Sequence, residues 1–558
     1  MSPLASRKER PWWRDAVTYQ IYPRSYADSN GDGIGDVEGI RSRLPYLKSL
    51  GIDAIWISPW YPSPQHDHGY DVSDYMDIEP DYGTLAQAEQ LIKEANEVGI
   101  KLIVDIVPNH TSSDHKWFQA ALKAGPGSPE RNRYMFREGK GPNGDLPPNN
   151  WEAVFGGCAW ERVIEADGKA GQWYLHLFAV EQPDLNWENP EVVAHLEDVL
   201  KFWLDRGVAG FRIDVAHGMF KEKGLPDIRK DPAASMLGTE HKPFWDQEGV
   251  HDIYRAWRKI LDSYPGDRMA VAEAWVSPSE RIARYVRSDE LQNSFNFEML
   301  TTLWDAKEIK TKINNSIDAL EEVGAPTSWV FNNHDVVRSV DRLDLGLTNH
   351  GDTTLSRQGD PKKLNIARGT LRARSAALMT LALPGGTYLY QGEELAVPEV
   401  RDIPEDRLTD PRWKMSGYSD RGRDGCRVPM PWTSNPAGAF GFSTNASLKP
   451  EQAWLPQSSW WGTYAVDTQD GVEGSTLSMY RKALAIRKGE EGLGDGPMEW
   501  IEAGKDVVAF ERPGDFACYI NFGAPIELPS NSQVLVASGP ITGHTLPTDT
   551  AVWVRLVS

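Results

Sequence analysis

Three acidic residues share one setting in this 558-residue chain: each ends a short apolar run that reads as a buried strand. Asp214 closes Gly-Phe-Arg-Ile-Asp (210–214), Glu273 lies in Met-Ala-Val-Ala-Glu-Ala-Trp (269–275), and Asp335 closes Trp-Val-Phe-Asn-Asn-His-Asp (329–335). Arg212 stands two residues before Asp214, and alternation along a strand aims both side chains the same way. A guanidinium beside a carboxylate keeps the acid ionised, which suits a nucleophile or a charge stabiliser. Glu273, between Ala272 and Ala274 and near Trp275, sits in a setting expected to raise its pKa. The acids are 59 (273 − 214) and 62 (335 − 273) residues apart, room each time for a helix and a strand. One acid at the end of each of three strands is how a parallel α/β barrel builds a site at its C-terminal face.

The elements that would position these acids follow from periodicity. β-branched or aromatic runs alternate with longer amphipathic stretches, the signature of a parallel sheet. Strands are expected near 18–24, 54–58, 101–107, 210–215, 269–275, 293–298, 329–333 and 386–391. Eight strands with helices between them make a TIM (β/α)8 barrel, and no Gly-rich dinucleotide loop follows the first strand to favour an open sheet. Two connections are too long for plain crossovers. Residues 111–180 are rich in Gly, Pro, Asn and Trp, which marks turns and an inserted unit, and 392–455 is a long polar loop after the eighth strand. The expected organisation is barrel over 1–110 and 181–487, insertion over 111–180, and a C-terminal antiparallel β-sandwich over 488–558, where apolar and polar residues alternate.

Further motifs accompany the acids: Asp105-Ile-Val-Pro-Asn109-His110 and Gln182-Pro-Asp-Leu-Asn186. Together these stretches resemble the α-amylase superfamily, glycoside hydrolase family 13, and within it the α-glucosidase and oligo-1,6-glucosidase group marked by Gln-Pro-Asp-Leu-Asn. The likeness runs from about Trp12 to Arg487. It implies a nucleophile at Asp214, an acid/base at Glu273 and a transition-state stabiliser at Asp335, the division of labour of retaining glycoside hydrolysis. It also places His110 and His334 on the hydroxyls of the sugar at the scissile bond, Tyr70 beneath its ring, and Asp67 with Arg427 as a pair across the blind end of an exo-acting pocket. Asp105 and Asn109 are expected to support the barrel rim. His66 and His68 flank Asp67 without a third metal ligand nearby, so a supporting or solvent-facing role fits them better than a zinc site.

The stretch Asp28-Ser-Asn30-Gly-Asp32-Gly-Ile34-Gly-Asp36 sets oxygens at alternate positions with glycines between them, as a calcium loop does. It follows a strand and has Gly39 where an EF-hand carries its bidentate Glu. The resemblance implies structural Ca²⁺ or Mg²⁺ held by Asp28, Asn30, Asp32, the Ile34 carbonyl and Asp36. Metal-free Asx turns are the alternative.

Composition narrows the partners. A net charge of −21 disfavours nucleic acid and leaves a neutral sugar unaffected. The 22 Trp, 19 Tyr and 16 Phe exceed what the core requires, and some can stack on sugar rings. Cys158, Cys426 and Cys518 are too scattered for a disulfide framework and are expected as buried or partly buried thiols. No apolar run is long enough to span a bilayer, and the N-terminus lacks a secretory pattern. The expectation is a cytoplasmic monomer or homodimer acting on small α-glucosides, as an exo-acting retaining α-glucosidase with α-1,4 linkages favoured. The resemblance also leaves open an oligo-1,6-glucosidase and a glucosyl transferase such as a sucrose isomerase or trehalose synthase, which share the same acids: in the resembled group Val at position 215 often accompanies α-1,6 activity, while Ala216-His217-Gly218 departs from the usual oligo-1,6-glucosidase continuation.

Overall fold

The computed structural model describes residues 9–228, 242–348 and 359–557. Eight parallel strands form the barrel: β1 (Val17–Ile21), β2 (Ala54–Ile57), β3 (Lys101–Ile106), β4 (Gly210–Ile213), β5 (Met269–Ala272), β6 (Asn293–Ser294), β7 (Ser328–Val330) and β8 (Gly386–Tyr390). Neighbours pair in sequence order, β8 returns to β1, and a parallel bridge between Asn296 and Trp329 joins β6 to β7 and closes the ring. The strands are buried along nearly their whole length, as a sheet covered on both faces demands.

All eight expected strands are present, and several end earlier than periodicity suggested. Pro23 opens a 3-10 turn after β1. Val215 adopts a left-handed backbone (φ 42°) that stops β4, and Asn296 caps the helical turn Phe297–Leu300 after β6. In each case local chemistry breaks the ladder where hydrophobicity alone continues it.

The insertion after β3 carries a helix, Lys116–Ala124, and a three-stranded antiparallel sheet of Phe136–Arg137, Ala170–Leu175 and Trp160–Ile164. Its core of Met135, Trp151, Trp160, Leu175 and Leu177 also takes Phe244 from the loop after β4. The C-terminal unit is a five-stranded antiparallel sheet with the ribbon Ile526–Glu527/Thr545–Leu546. Alternation divides its faces: Val508, Phe510 and Trp553 join the barrel core, and Val507, Ala509 and Val552 pack with Leu546. The Trp553 indole donates to the Leu378 carbonyl of the barrel helix Ile366–Ala382 at 2.9 Å, which fixes the two units together. Among the described residues the three cysteines are unpaired; Cys426 and Cys518 are buried as expected, whereas Cys158 is exposed on the insertion. No helix among the described residues is long and apolar enough to cross a membrane.

Gly210 opens β4 opposite Met269 of β5. A methyl group there would overlap the Met269 carbonyl, which is backbone and cannot step aside. Gly210→Ala is expected to destabilise the fold by about 1–3 kcal/mol, the usual cost of overpacking, read as a lower midpoint in denaturant unfolding with unchanged slope.

Candidate active site

Register places the charges. Asp105 on β3 sits opposite Arg212 on β4, and the amide of Asp214 continues the ladder onto the Ile106 carbonyl (2.8 Å) as that of Glu273 does onto Ile213 (2.9 Å). Arg212, 2% exposed, therefore meets three carboxylates at once. Its Nη1 lies 3.0 Å from Asp105 Oδ1 and 2.5 Å from Asp214 Oδ1, and its Nη2 lies 2.6 Å from Glu273 Oε2.

This sharing corrects an electrostatic expectation. Burial, with the negative charges of Glu273 and Asp105, holds the Asp214 carboxyl above its ordinary range despite the pull of Arg212. One guanidinium divided among three buried acids cannot keep all of them ionised. Asp105 is likewise pushed up to about 7 by burial against Arg212. Glu273 also differs from its expected apolar setting, since it accepts from Arg212, from the Val215 amide (3.0 Å) and from the Trp275 indole (3.1 Å).

Asp335 is the third acid of the pocket. Burial raises it, but His334, Arg423, Arg427 and Arg212 together bring its pKa well below the usual carboxylate range. Burial pushes His334 itself far down, so its ring is neutral at pH 7 and the arginines carry the effect. His334 receives the Gln20 amide at Nδ1 (2.7 Å) and stacks on Tyr70 at 5.1 Å, with 4° between the rings. Tyr70 in turn donates to Asp105 Oδ2 (3.2 Å). His110, pushed down to about 4 by burial, donates from Nε2 to the Tyr70 carbonyl (3.1 Å) and accepts the Asn109 amide at Nδ1 (3.2 Å).

The expected blind-end pair is revised. Arg423, not Arg427, reaches Asp67, with Nη2 2.8 Å from Oδ1; its Nε is 2.7 Å from Asp410 and its Nη1 is 2.9 Å from Asp335. Arg427 is fully buried below, bonding the His334 carbonyl (2.8 Å), His68 Nδ1 (2.8 Å) and Asp335 Oδ1 (3.0 Å). The helical turn Asp424–Arg427 explains the exchange: residues 423 and 427 stand one turn apart on one side, and the earlier one lies nearer the opening. Gln182 of the Gln-Pro-Asp-Leu-Asn motif donates to Asp67 Oδ2 (3.2 Å), so the chain returning from the insertion also holds this pair. His68 supports Arg427, and His66 is exposed.

These groups meet in a pocket of about 1080 Å³ at the C-terminal ends of the strands, lined by Asp67, Tyr70, His110, Asp214, Glu273, Asp335 and Arg423. Arg212, His334 and Arg427 stand behind its wall. Sequence reading underweighted Asp105, whose position four residues before Asn109 was the available signal, and did not select Gln20 or Asp410, which no motif marks.

The loop at 28–36 lies apart from the pocket. Asp28 accepts the amides of Gly31 (2.6 Å) and Gly33 (2.8 Å), Asp36 those of Ser29 (2.8 Å) and Gly39 (2.6 Å), Asn30 that of Asp32 (3.0 Å), and Asp32 that of Ile34 (2.8 Å). The Asn30 and Asp32 bonds are Asx turns, Asp28 and Asp36 bond amides further along the loop, and among the described residues no three His, Cys, Asp or Glu side chains alone close on one metal-sized point. Burial, and to a lesser degree the charges of Asp28 and Asp36, raise Asp32.

The description of the α-amylase catalytic domain matches residues 20–496. The chain belongs to the α-amylase family. It is 36% identical to a probable α-glucosidase of Rhizobium meliloti over 96% of this chain and 93% of that one. It is 37% identical to an oligo-1,6-glucosidase of Parageobacillus thermoglucosidasius over 86% and 84%. Among solved structures, an α-glucosyl transfer enzyme superposes with a TM-score of 0.85 at 33% identity, covering 98% and 99% of the two chains. The trehalulose synthase of Pseudomonas mesoacidophila gives 0.82 at 29% over 98% and 99%. The barrel architecture is that of this family.

Arg423 joins three carboxylates from three loops, so its loss should disorganise the pocket more than the loss of one hydrogen bond. Arg423→Ala is expected to lower kcat/KM for a disaccharide by at least 100-fold, and Arg423→Lys to recover little of it, because a point charge cannot span Asp67, Asp335 and Asp410. Steady-state kinetics with a melting curve as folding control check this.

Proposed function

We propose that the protein is an exo-acting, retaining α-glucosidase that releases glucose from the non-reducing ends of short α-glucosides, with maltose-like α-1,4 linkages favoured. The observation that carries this reading is the bridging of Asp214 and Glu273 by Arg212 in a pocket whose wall includes the buried Asp67–Arg423 pair. A terminal sugar seated against that pair offers its far hydroxyls to charged groups and presents C1 to Asp214. The carboxylate attacks C1, the C1–O bond breaks, and the departing oxygen takes the proton held by Glu273. Glu273 then removes a proton from water, which displaces Asp214 and restores the α configuration. Asp335, ionised throughout, faces the positive charge that develops on the ring. A sugar hydroxyl in place of water would give glucosyl transfer, the activity named for the structural relative at 33% identity.

Asp214→Ala should cut turnover by about 10⁴-fold or more, and an activated fluoro-glucoside should label Asp214 in the intact enzyme. Maltotetraose should yield α-glucose and maltotriose as first products, followed by NMR. Maltose as a first product, or a label on another residue, counts against the reading.

We also propose that the loop holds a divalent cation through Asp28, Asn30, Asp32, the Ile34 carbonyl and Asp36. Three carboxylates within nine residues repel one another, and a cation would relieve that repulsion. The ion would stabilise the fold away from the reacting atoms. Because a ligand bound only to the folded state adds stability by mass action, EDTA is expected to lower the melting temperature and Ca²⁺ to restore it, with initial rates at moderate temperature retained. A melting curve indifferent to both leaves the Asx turns as the whole account. The unpaired cysteines agree with a reducing compartment, and a cytoplasmic site of action belongs to this proposal.

A further inference from the structure

Trp275 follows β5 two residues after Glu273. Its ring lies flat on Phe297, with 3.9 Å between centroids and 11° between planes. Phe297 touches Phe295 at 5.6 Å, and Phe295 meets Tyr388 of β8 at 4.8 Å. The indole thus stands on an aromatic column rooted inside the barrel. It is nevertheless 36% exposed and lines the pocket, so the face turned away from Phe297 is free to receive a ring.

The hydrogen bonds of Glu273 distinguish its two oxygens. Oε2 accepts from the Val215 amide at 3.0 Å and from Arg212 Nη2 at 2.6 Å, both groups that only donate. A proton for the leaving group therefore belongs on Oε1. Oε1 accepts from the Trp275 indole, whose N–H lies 3.1 Å away and aligns that oxygen.

We propose that Trp275 is the leaving-group residue of this site: its N–H holds Oε1 of Glu273 in register for proton delivery, and its free face carries the departing ring. The proposal rests on the reading of Glu273 as the acid. The ligand it specifies is a ring-shaped aglycone or acceptor with an apolar face, whether a sugar or an aryl group. In the glycosylation step the C1–O electron pair moves to the bridging oxygen, which takes the Oε1 proton, while C1 bonds to Asp214. Glu273 is left ionised, and the indole N–H then stabilises the oxygen that must next act as base.

The charged and titratable groups around Glu273 are Arg212 and Asp214 of the fourth strand, Asp105 of the third, His217 beyond the nucleophile and Asp335 across the pocket. Trp275→Phe changes none of them and keeps a ring on Phe297, so it isolates the N–H. Removing a donor from a carboxylate raises its pKa. The acid stays protonated to higher pH, and the basic limb of kcat/KM should move upward. The same variant should lower kcat for maltose about tenfold or more while changing kcat for 4-nitrophenyl α-glucoside, whose leaving group needs little protonation, less than about threefold. Trp275→Ala should add a rise in KM for the disaccharide as the platform is lost.

Equal losses on both substrates with an unmoved pH limb would overturn the role of Trp275. Glu273→Gln tests the underlying reading separately: disaccharide turnover should vanish, and azide should restore turnover of 4-nitrophenyl α-glucoside by attacking the glucosyl-enzyme. If Glu273→Gln keeps its disaccharide activity, the acid assignment falls and the inference with it. If it behaves as expected while Trp275→Phe matches the wild type, the assignment stands and the inference alone is refuted.

Discussion

The site depends on one guanidinium shared by three buried carboxylates. Arg212 binds Asp105, Asp214 and Glu273 within 3.0 Å, and each comes from a different strand or strand end. The cluster formally carries two more negative charges than positive ones, a state that a buried site resists unless a proton or a cation enters. In the resting site that resistance shows at Asp214, whose carboxyl burial and the neighbouring acids hold above its ordinary range. In the reaction, the positive charge that grows at the anomeric carbon supplies relief. The pocket is thus better matched to the transition state than to a neutral sugar, which is the condition for catalysis by differential binding.

A second scaffold holds the opposite wall. Arg423 and Arg427 stand one helical turn apart and converge on Asp335, and the carbonyl of Arg427 accepts from the Ser25 hydroxyl. Ser25 also accepts the Met430 amide (2.8 Å) and the Trp454 indole (3.0 Å). Further along the same long loop, the Phe442 carbonyl receives the Asp28 amide at 2.8 Å, and the Thr444 amide reaches the Asp28 carbonyl at 3.0 Å. The loop at 28–36 and the pocket wall are therefore two ends of one hydrogen-bonded body. A stabilising ion at the first would firm the second without approaching the substrate.

Much of this was legible in the sequence because barrels leave a regular trace. Most strands are apolar runs with a few polar residues that point into the site, and acids stand at or just beyond their ends, so periodicity and composition locate both. What escaped depends on three-dimensional convergence. The alternation rule put Arg212 beside Asp214 correctly but could not show that Asp105 and Glu273 claim the same guanidinium, so the direction of the Asp214 shift came out reversed. Similarly, Arg423 and Arg427 occupy one motif, and only the helical turn decides which of them faces Asp67. Cys158 was expected to be buried or partly buried, and it is exposed on the insertion.

The residue after the nucleophile shows how the fold spends strain at the site. Val215 is β-branched, yet its φ is 42°, a region such side chains avoid. Strain of this kind costs about 1–3 kcal/mol and persists only where the surroundings fix it. Here they do: the Val215 amide donates to Glu273 Oε2, the Ala216 amide donates to the Glu273 carbonyl at 2.9 Å, and the Tyr254 hydroxyl holds the Ala216 carbonyl. An extended residue at 215 would continue the strand and carry its amide away from the acid. The left-handed turn instead folds the chain back across β5, so the segment bearing the nucleophile also clamps the acid/base. Spacing between Asp214 and Glu273 is thereby set by backbone, which the substrate cannot push aside.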